Sequence, residues 1–489
     1  MPTKVIKLVV LGLGHMGVKS LFVIHLIKEQ LRRQGIEVEL AAVVDTDQRL
    51  KDALEFISSG LEPRARVILM NPEAPKPLRR ILTTELGLNP RKSPVVIYDA
   101  TPSHRHFINL NSIADISGVT YLGEKPLFTD TPQMSAKLRY AARYCCNFVE
   151  TESLVSNAIR REIRSGFIPR SIVFWRFNST GLAKILNPGA RRGVTGGALM
   201  DKCIHDLSIA ASWLWEDGLP EPVIEDAKTL CFVPGGMIGL MQAEPLFLSG
   251  KDLPISQIVS GFIPETGEDW TADAAGWAKV RWKTKPQVHT EFFYSWVGVR
   301  AASDLHRRSH VQSLREVLRD LKISEKRVIT TAWQTNKTHW IKYPAEEARA
   351  AWIEGEKAGK KQSYFASFLS RSQDGVEPFL FDLERRRNLD IKDGDDSIAF
   401  GANSLARLLD KVIHVAAGEK VESYVTEPYV QLVHKLVVRI REKTFKRRGK
   451  RYDEQELARE VFSSCLKFAG KTEIRGLVRK KMPQQKRRH

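Results

Sequence analysis

The stretch KVIKLVVLGLGHMG, Lys4 to Gly17, joins a short apolar run to three glycines and to a segment, His15 to Arg33, with the length and composition of a helix. A strand passing through GxGxxG into a helix uses each glycine differently. Gly12 allows the tight turn, Gly14 lets a pyrophosphate approach the backbone, and Gly17 lets the helix pack close to the strand. The helix start adds free N–H groups and a partial positive charge for phosphate. His15 and Met16 fill the turn between the glycines, with His15 directed to the helix surface. Asp45 ends the next apolar run, ELAAVVD, 28 positions after Gly17 and beyond the usual spacing of about 20. Its carboxylate suits the ribose hydroxyls of adenosine and repels a 2′-phosphate, which favours NAD, while Arg49 nearby leaves NADP open.

PVVIYDA (Pro94 to Ala100) and VTYLG (Val119 to Gly123) are further strand patterns, each preceded by a helix-like stretch. Strands spaced by helices predict a doubly wound parallel sheet whose ligands sit outside the carboxyl ends of its strands. Two such ends carry polar groups: Thr101-Pro102-Ser103-His104-Arg105-His106 and Glu124-Lys125-Pro126. Pro126 holds Lys125 extended, where its amine is placed to donate or accept the proton of a substrate hydroxyl. A third group lies at GGALMDKCIHD, Gly196 to Asp206. A helix over Leu199 to Leu214 puts Asp201 and His205 four residues apart on one face. With Lys125 they supply what alcohol oxidation needs, a base for the hydroxyl proton as hydride leaves carbon for a nicotinamide ring. Histidine suits that role because its ordinary pKa lies near neutrality.

GLGHMG at Gly12–Gly17, TPSHRH at Thr101–His106, GEKP at Gly123–Pro126 and GGALMDKCIHD at Gly196–Asp206 occur in one order. In these motifs the chain resembles the glucose–fructose oxidoreductase/inositol dehydrogenase/rhizopine-catabolism family of NAD(P)-dependent oxidoreductases. The resemblance covers roughly residues 1–215 well and the rest in outline. It implies an N-terminal Rossmann domain, then an α+β domain whose mostly antiparallel open sheet packs beside the cofactor and often mediates homo-oligomers. It also implies that Lys125 is the catalytic lysine, His205 the acid/base, and Asp201 a substrate-orienting or base-supporting residue. Cofactor contacts carry over to Gly12, Gly14, His15, Met16, Gly17, Asp45, Thr101, Pro102, His106 and Glu124. No metal ligand is implied. Three departures bear on substrate recognition: Cys203 where many members have Gly, Ser208 where they have a second Asp, and ETESLVSNA (Glu150 to Ala158) where an Arg and a Pro are usual.

At 489 residues the chain exceeds one hydrophobic core. We read a dinucleotide-binding domain over 1–149, a substrate and oligomerisation domain over 150–430, and a basic helical extension over 431–489. Strands are expected at Ser171 to Phe177, Ala227 to Val233, Ala278 to Trp282, Val288 to Trp296 and His339 to Tyr343, with long connections at Pro234–Trp270 and Asp374–Asp396. Arg307 to Arg327 reads as a solvated helix face. The formal charge is +19, from 76 Lys+Arg against 57 Asp+Glu. Residues 435–489 hold 19 Lys/Arg and 6 Asp/Glu, so +13 lies there and +6 in the remainder.

Val433, Leu436, Val437 and Ile440 fall at helical spacing, as do Ile474, Leu477, Val478 and Met482, while Leu457, Val461, Phe462 and Leu466 follow an acidic first turn. The basic clusters Arg447–Arg451 and Lys486–Arg488 attract polyanions, but aromatic residues for base stacking are sparse and no nucleic-acid signature occurs. Five cysteines without framework spacing fit a reducing, cytoplasmic setting, and no apolar run is long enough to span a membrane. The expected activity is hydride transfer between NAD(P) and a hydroxyl or carbonyl of a sugar, cyclitol or similar small polar substrate. The alternative is a non-catalytic dinucleotide sensor or scaffold whose tail engages a polyanion or protein.

Overall fold

Strands buried on both faces need continuous apolar sequence, and the N-terminal sheet is built from such runs. Its strands are β1 (Lys4–Leu11), β2 (Ile36–Asp45), β3 (Arg66–Leu69), β4 (Val95–Asp99), β5 (Val119–Gly123) and β6 (Arg143–Cys146). Every residue of β4 and β5 is buried. The computed structural model describes residues 3–46, 65–71, 77–135, 142–178, 197–231, 273–296, 312–336, 341–369, 376–391, 400–422 and 425–446. The strands are all parallel in the order β3-β2-β1-β4-β5-β6. The order reverses between β1 and β4, which opens a crevice at their carboxyl ends. Gly12 follows the first of these strands and Thr101 the second. Helix α1 (His15–Arg33) has its expected limits and buries Gly17, Ser20, Leu21, Ile24, Ile27 and Leu31 along one stripe. Helix α2 (Ser103–Ile113) follows β4.

Helix α3 (Leu154–Arg164), capped by the Ser153 hydroxyl accepting from the Ser156 N–H, leads into the second sheet. That sheet comprises β7 (Phe167–Asn178), β8 (Val223–Cys231), β9 (Asp273–Trp282), β10 (Val288–Ser295), β11 (Ile329–Asn336), β12 (Ile341–Lys357), β13 (Lys360–Ser367), β14 (Phe379–Asp382) and β15 (Arg387–Leu389). Its order is β15-β14-β13-β12-β7-β10-β9-β8, with β11 pairing β12. All these pairs are antiparallel except β7 with β10.

Of the strand expected at His339–Tyr343, Ile341 to Tyr343 open the 17-residue β12, and His339 and Trp340 lie outside the described residues. The connection expected over Asp374–Asp396 instead contains β14 and β15, a short antiparallel pair. Pro234–Trp270 lies outside the described residues. Within the charged stretch Arg307–Arg327, α5 (Leu314–Asp320) is not wholly solvated, because Leu314, Val317 and Leu318 are buried against the second sheet.

Helix α4 (Ile204–Leu214) packs on α3 and on β10 of the second sheet, and only after β15 does the chain return to the first sheet. Helix α6 (Phe400–Ala416) packs on α1, β4 and β5, and α7 (Glu427–Lys446) packs on α4, β6 and β8. Val433, Leu436, Val437 and Ile440 are buried, as their spacing predicts, and lie in the same core as β1 and α4. A division at residue 430 therefore falls inside one helix. Part of the basic charge is spent on the body: Lys435 and Arg439 pair with Glu221, and Lys443 donates to the carbonyls of Ile224 and Glu225. The later predicted helices and both basic clusters lie outside the described residues. No helix among the described residues is long and apolar enough to cross a membrane.

Candidate active site

Gly12 has φ +78°, a conformation side chains disfavour, and a Cβ there would meet the Ala100 and Thr101 backbone at 2.9 Å. Gly17 is fixed by proximity: its Cβ would stand 1.9 Å from the Gly12 carbonyl oxygen. Gly14 borders open space at the start of α1, where no side chain caps the helix. His15 is exposed beside it and Met16 half-buried. At the end of β2, Asp45 accepts the Leu13 N–H through one oxygen and its neighbour's N–H through the other. Replacing Gly17 with Ala is expected to cost about 1–3 kcal/mol, because rigid backbone faces the new methyl. Thermal unfolding of the variant measures it.

The loop after β4 rests on a residue that the motifs do not single out. Asp99 is wholly buried and accepts from the Thr101 N–H at 2.9 Å, the Thr101 hydroxyl, Asn109 Nδ2 at 2.7 Å and the Tyr121 hydroxyl. Burial, and then the Asp99 charge, push the Tyr121 phenol up, so it stays a donor. Pro102 lies exposed at the mouth of α2. His106 is buried, with Nδ1 3.0 Å from the Pro126 carbonyl and Nε2 2.7 Å from the Thr101 carbonyl. It stands behind the loop and ties the ends of β4 and β5 together. Glu124 accepts from the Tyr98 hydroxyl and from Asn147.

Lys125, Asp201 and His205 come together across the two sheets. The Lys125 ammonium donates to Asp201 Oδ1 at 2.7 Å and to the Asp201 carbonyl at 2.9 Å. Asp201 Oδ2 accepts from buried Trp296 Nε1 at 2.9 Å and lies 3.3 Å from Lys202 Nζ. Asp201 belongs to a π-helical turn, Leu199–Cys203, that runs directly into α4. His205 follows on α4 with a buried Nδ1 that has no partner among the described residues. Burial depresses the His205 pKa well below its ordinary value, Lys125 and Arg176 adding to the effect and Glu150 and Asp201 opposing it. The imidazole is therefore neutral at pH 7 and able to accept a proton.

Beneath His205 lies an ionic network that the motifs do not reveal. Arg176 on β7 donates to both oxygens of Glu150 and, at 2.9 and 2.7 Å, to Asp206 Oδ1. Arg349 on β12 bridges Glu150, at 2.9 Å, and Glu347. Burial opposes ionisation of Glu150, but the two guanidinium groups outweigh it and hold the carboxyl well below the usual range. Asp206 pairs with Arg176, but burial prevails, Glu150 adding to it and Arg349 opposing, and pushes its carboxyl up to about 6.

No protein-family model matches the chain, and no curated protein is recognisably similar in sequence. Solved structures do match. An apo scyllo-inositol dehydrogenase from Lactobacillus casei superposes with a TM-score of 0.51 at 11% identity, covering 91% of this chain and 98% of that one. A levoglucosan dehydrogenase in complex with NADH and L-sorbose gives 0.55 at 13% identity, over 91% and 98%. An aldose-aldose oxidoreductase from Caulobacter crescentus, complexed with glycerol, gives 0.54 at 13% identity, over 91% and 99%. The chain therefore shares the fold of these structures, a six-stranded parallel sheet beside a mostly antiparallel one.

Proposed function

We propose that this protein is an NAD-dependent oxidoreductase that moves hydride between the nicotinamide and a hydroxyl or carbonyl carbon of a sugar, cyclitol or similar small polar compound. The observation that carries the reading is the meeting of Lys125, Asp201 and neutral His205 beside the switch point of the parallel sheet. A dinucleotide fits that switch point: Gly14 leaves its cradle open, the first N–H groups of α1 face it, and Asp45 stands at the end of β2 for the ribose. Thr101, Pro102 and Glu124 border the same crevice, while His106 shapes the loop from behind. Arg49, the residue that leaves NADP open, lies outside the described residues. When bound, the nicotinamide supplies the hydride acceptor or donor.

The protein supplies the proton chemistry. Asp201 and its own carbonyl take two of the Lys125 N–H donors, so the third remains for a substrate oxygen. In the oxidising direction His205 accepts the hydroxyl proton as hydride departs from carbon, and in the reducing direction it returns it. The polyol class is supported by the likeness in fold to proteins solved with levoglucosan, L-sorbose or glycerol.

Titrating purified protein with NAD(H) and NADP(H) should show saturable binding with preference for NAD(H), and absence of binding to either overturns the reading. A screen of polyols, sugars and nucleotide-sugars for NADH production then names the substrate class.

A further inference from the structure

The loop that carries Lys125 is held from the far end of the chain. Leu127, two residues beyond the lysine, donates its N–H to His434 Nε2 at 2.8 Å, 307 positions away in sequence. His434 Nδ1 lies 2.8 Å from the Val430 carbonyl one turn back on α7, so Nδ1 carries the hydrogen and Nε2 the lone pair. The adjacent backbone group, the Pro126 carbonyl, faces His106 Nδ1 at 3.0 Å. Two imidazoles thus hold consecutive backbone groups next to Lys125. We propose that His434 is a positioning residue for Lys125, fixing through Leu127 the backbone from which the amine reaches Asp201.

The surroundings of His434 suit that task. Its ring is fully buried and meets Phe128 edge-on at 5.3 Å and Phe148 at 5.6 Å. Only the neutral ring can accept the Leu127 N–H, since an imidazolium would set N–H against N–H. Burial lowers its pKa to about 4, with the Val430 carbonyl opposing and His106 adding to the effect. The other titratable groups on this side are Cys146, whose thiol faces the same Leu127 N–H and is pushed up by burial, Tyr144 against Phe128, and Tyr429 against Phe148. A thiol is a weak acceptor, so it does not replace the imidazole. Further down α7, Arg441 donates to the Thr129 carbonyl, so the helix grips the loop at a second point.

The assignment rests on Lys125 being the acid–base lysine of the proposed function, but its test needs no substrate. In the full chain, amide hydrogen exchange at Leu127 should be slow at neutral pH, with protection lost as pH falls through about 4. A histidine that only fills space would give no such pH profile. His434→Phe keeps a ring and removes the acceptor. It should speed Leu127 exchange by about tenfold, the loss of one buried hydrogen bond, and speed acylation of Lys125 by a water-soluble succinimidyl ester. His434→Gln, whose amide oxygen can take the same N–H, should restore both rates. Unprotected Leu127 in the unaltered protein, or Lys125 acylation equal in His434→Phe, His434→Gln and the unaltered chain, overturns the assignment. If His434→Phe does not fold, the unaltered protein's pH profile decides alone. Undiminished turnover by Lys125→Met would overturn the assigned chemistry and with it the purpose of the clamp, whereas unchanged exchange overturns the clamp by itself.

Discussion

Replacing Lys125 with Met is expected to lower turnover by about a thousandfold, within the range typical for a positioned acid–base group, while NADH affinity stays within about twofold because the lysine does not build the phosphate cradle. Methionine has similar length and no charge, so it retains the aliphatic contacts of a half-buried side chain and removes only the amine. The Asp201 carboxylate then loses its 2.7 Å partner but keeps Trp296 Nε1 and Lys202. The substitution should therefore cost far more activity than stability. Steady-state kinetics beside cofactor fluorescence titration separates the two, and an unchanged turnover number removes Lys125 from the mechanism.

The same site predicts where activity fails in acid. Burial keeps His205 neutral well below its ordinary pKa of 6.5, and the neutral ring is the form that accepts the hydroxyl proton. Lowering pH protonates it and stops oxidation, so the acidic limb of the rate profile should lie below 6.5. A limb at or above that value would mean that another group is the base.

The parts of this architecture that the sequence reveals are those whose signal is local. β1, β4 and β5 are mainly apolar because most of their residues are buried, and GLGHMG shows its turn in the glycine spacing, with Gly17 required by contact with the Gly12 carbonyl. Lys125 and Asp201 are found by their motifs, and the 2.7 Å contact between them is consistent with that reading. Arg176 and Arg349 are different. Each sits on a strand as one polar residue among several, and their partner Glu150 lies 26 and 199 positions away. β12 carries AEEARAAW without apolar alternation, because the burial of Glu347 is stabilised by a charge partner on the same strand and not by a hydrophobic pattern. Similarly, the spacing on α7 shows that one face is buried but not what covers it. The helix reads as a basic appendage until its contacts with α4, β6 and the Lys125 loop are seen.

Replacing Arg176 with Met should destabilise the protein by about 3–5 kcal/mol, the cost of removing one partner from a buried ion pair. The guanidinium is nearly inaccessible, with only 3% of its side chain exposed, between Glu150 and Asp206. Glu150 keeps Arg349 after the substitution, so Asp206 bears most of the loss. Its carboxyl, already pushed up to about 6 by burial, rises further when the cation is removed, and the folded state then holds a proton that the unfolded chain has released. Stability of the variant is thus regained as pH falls, and the penalty measured by urea denaturation should be smaller at pH 5.5 than at pH 7. Adding Asp206→Asn should recover about 1–2 kcal/mol at pH 7, because an amide is buried at lower cost than an unpaired carboxylate. If the penalty is the same at both pH values and Asp206→Asn recovers none of it, Arg176 contributes through the packing of its alkyl stem, and its ion pairs beneath His205 do not account for the loss of stability.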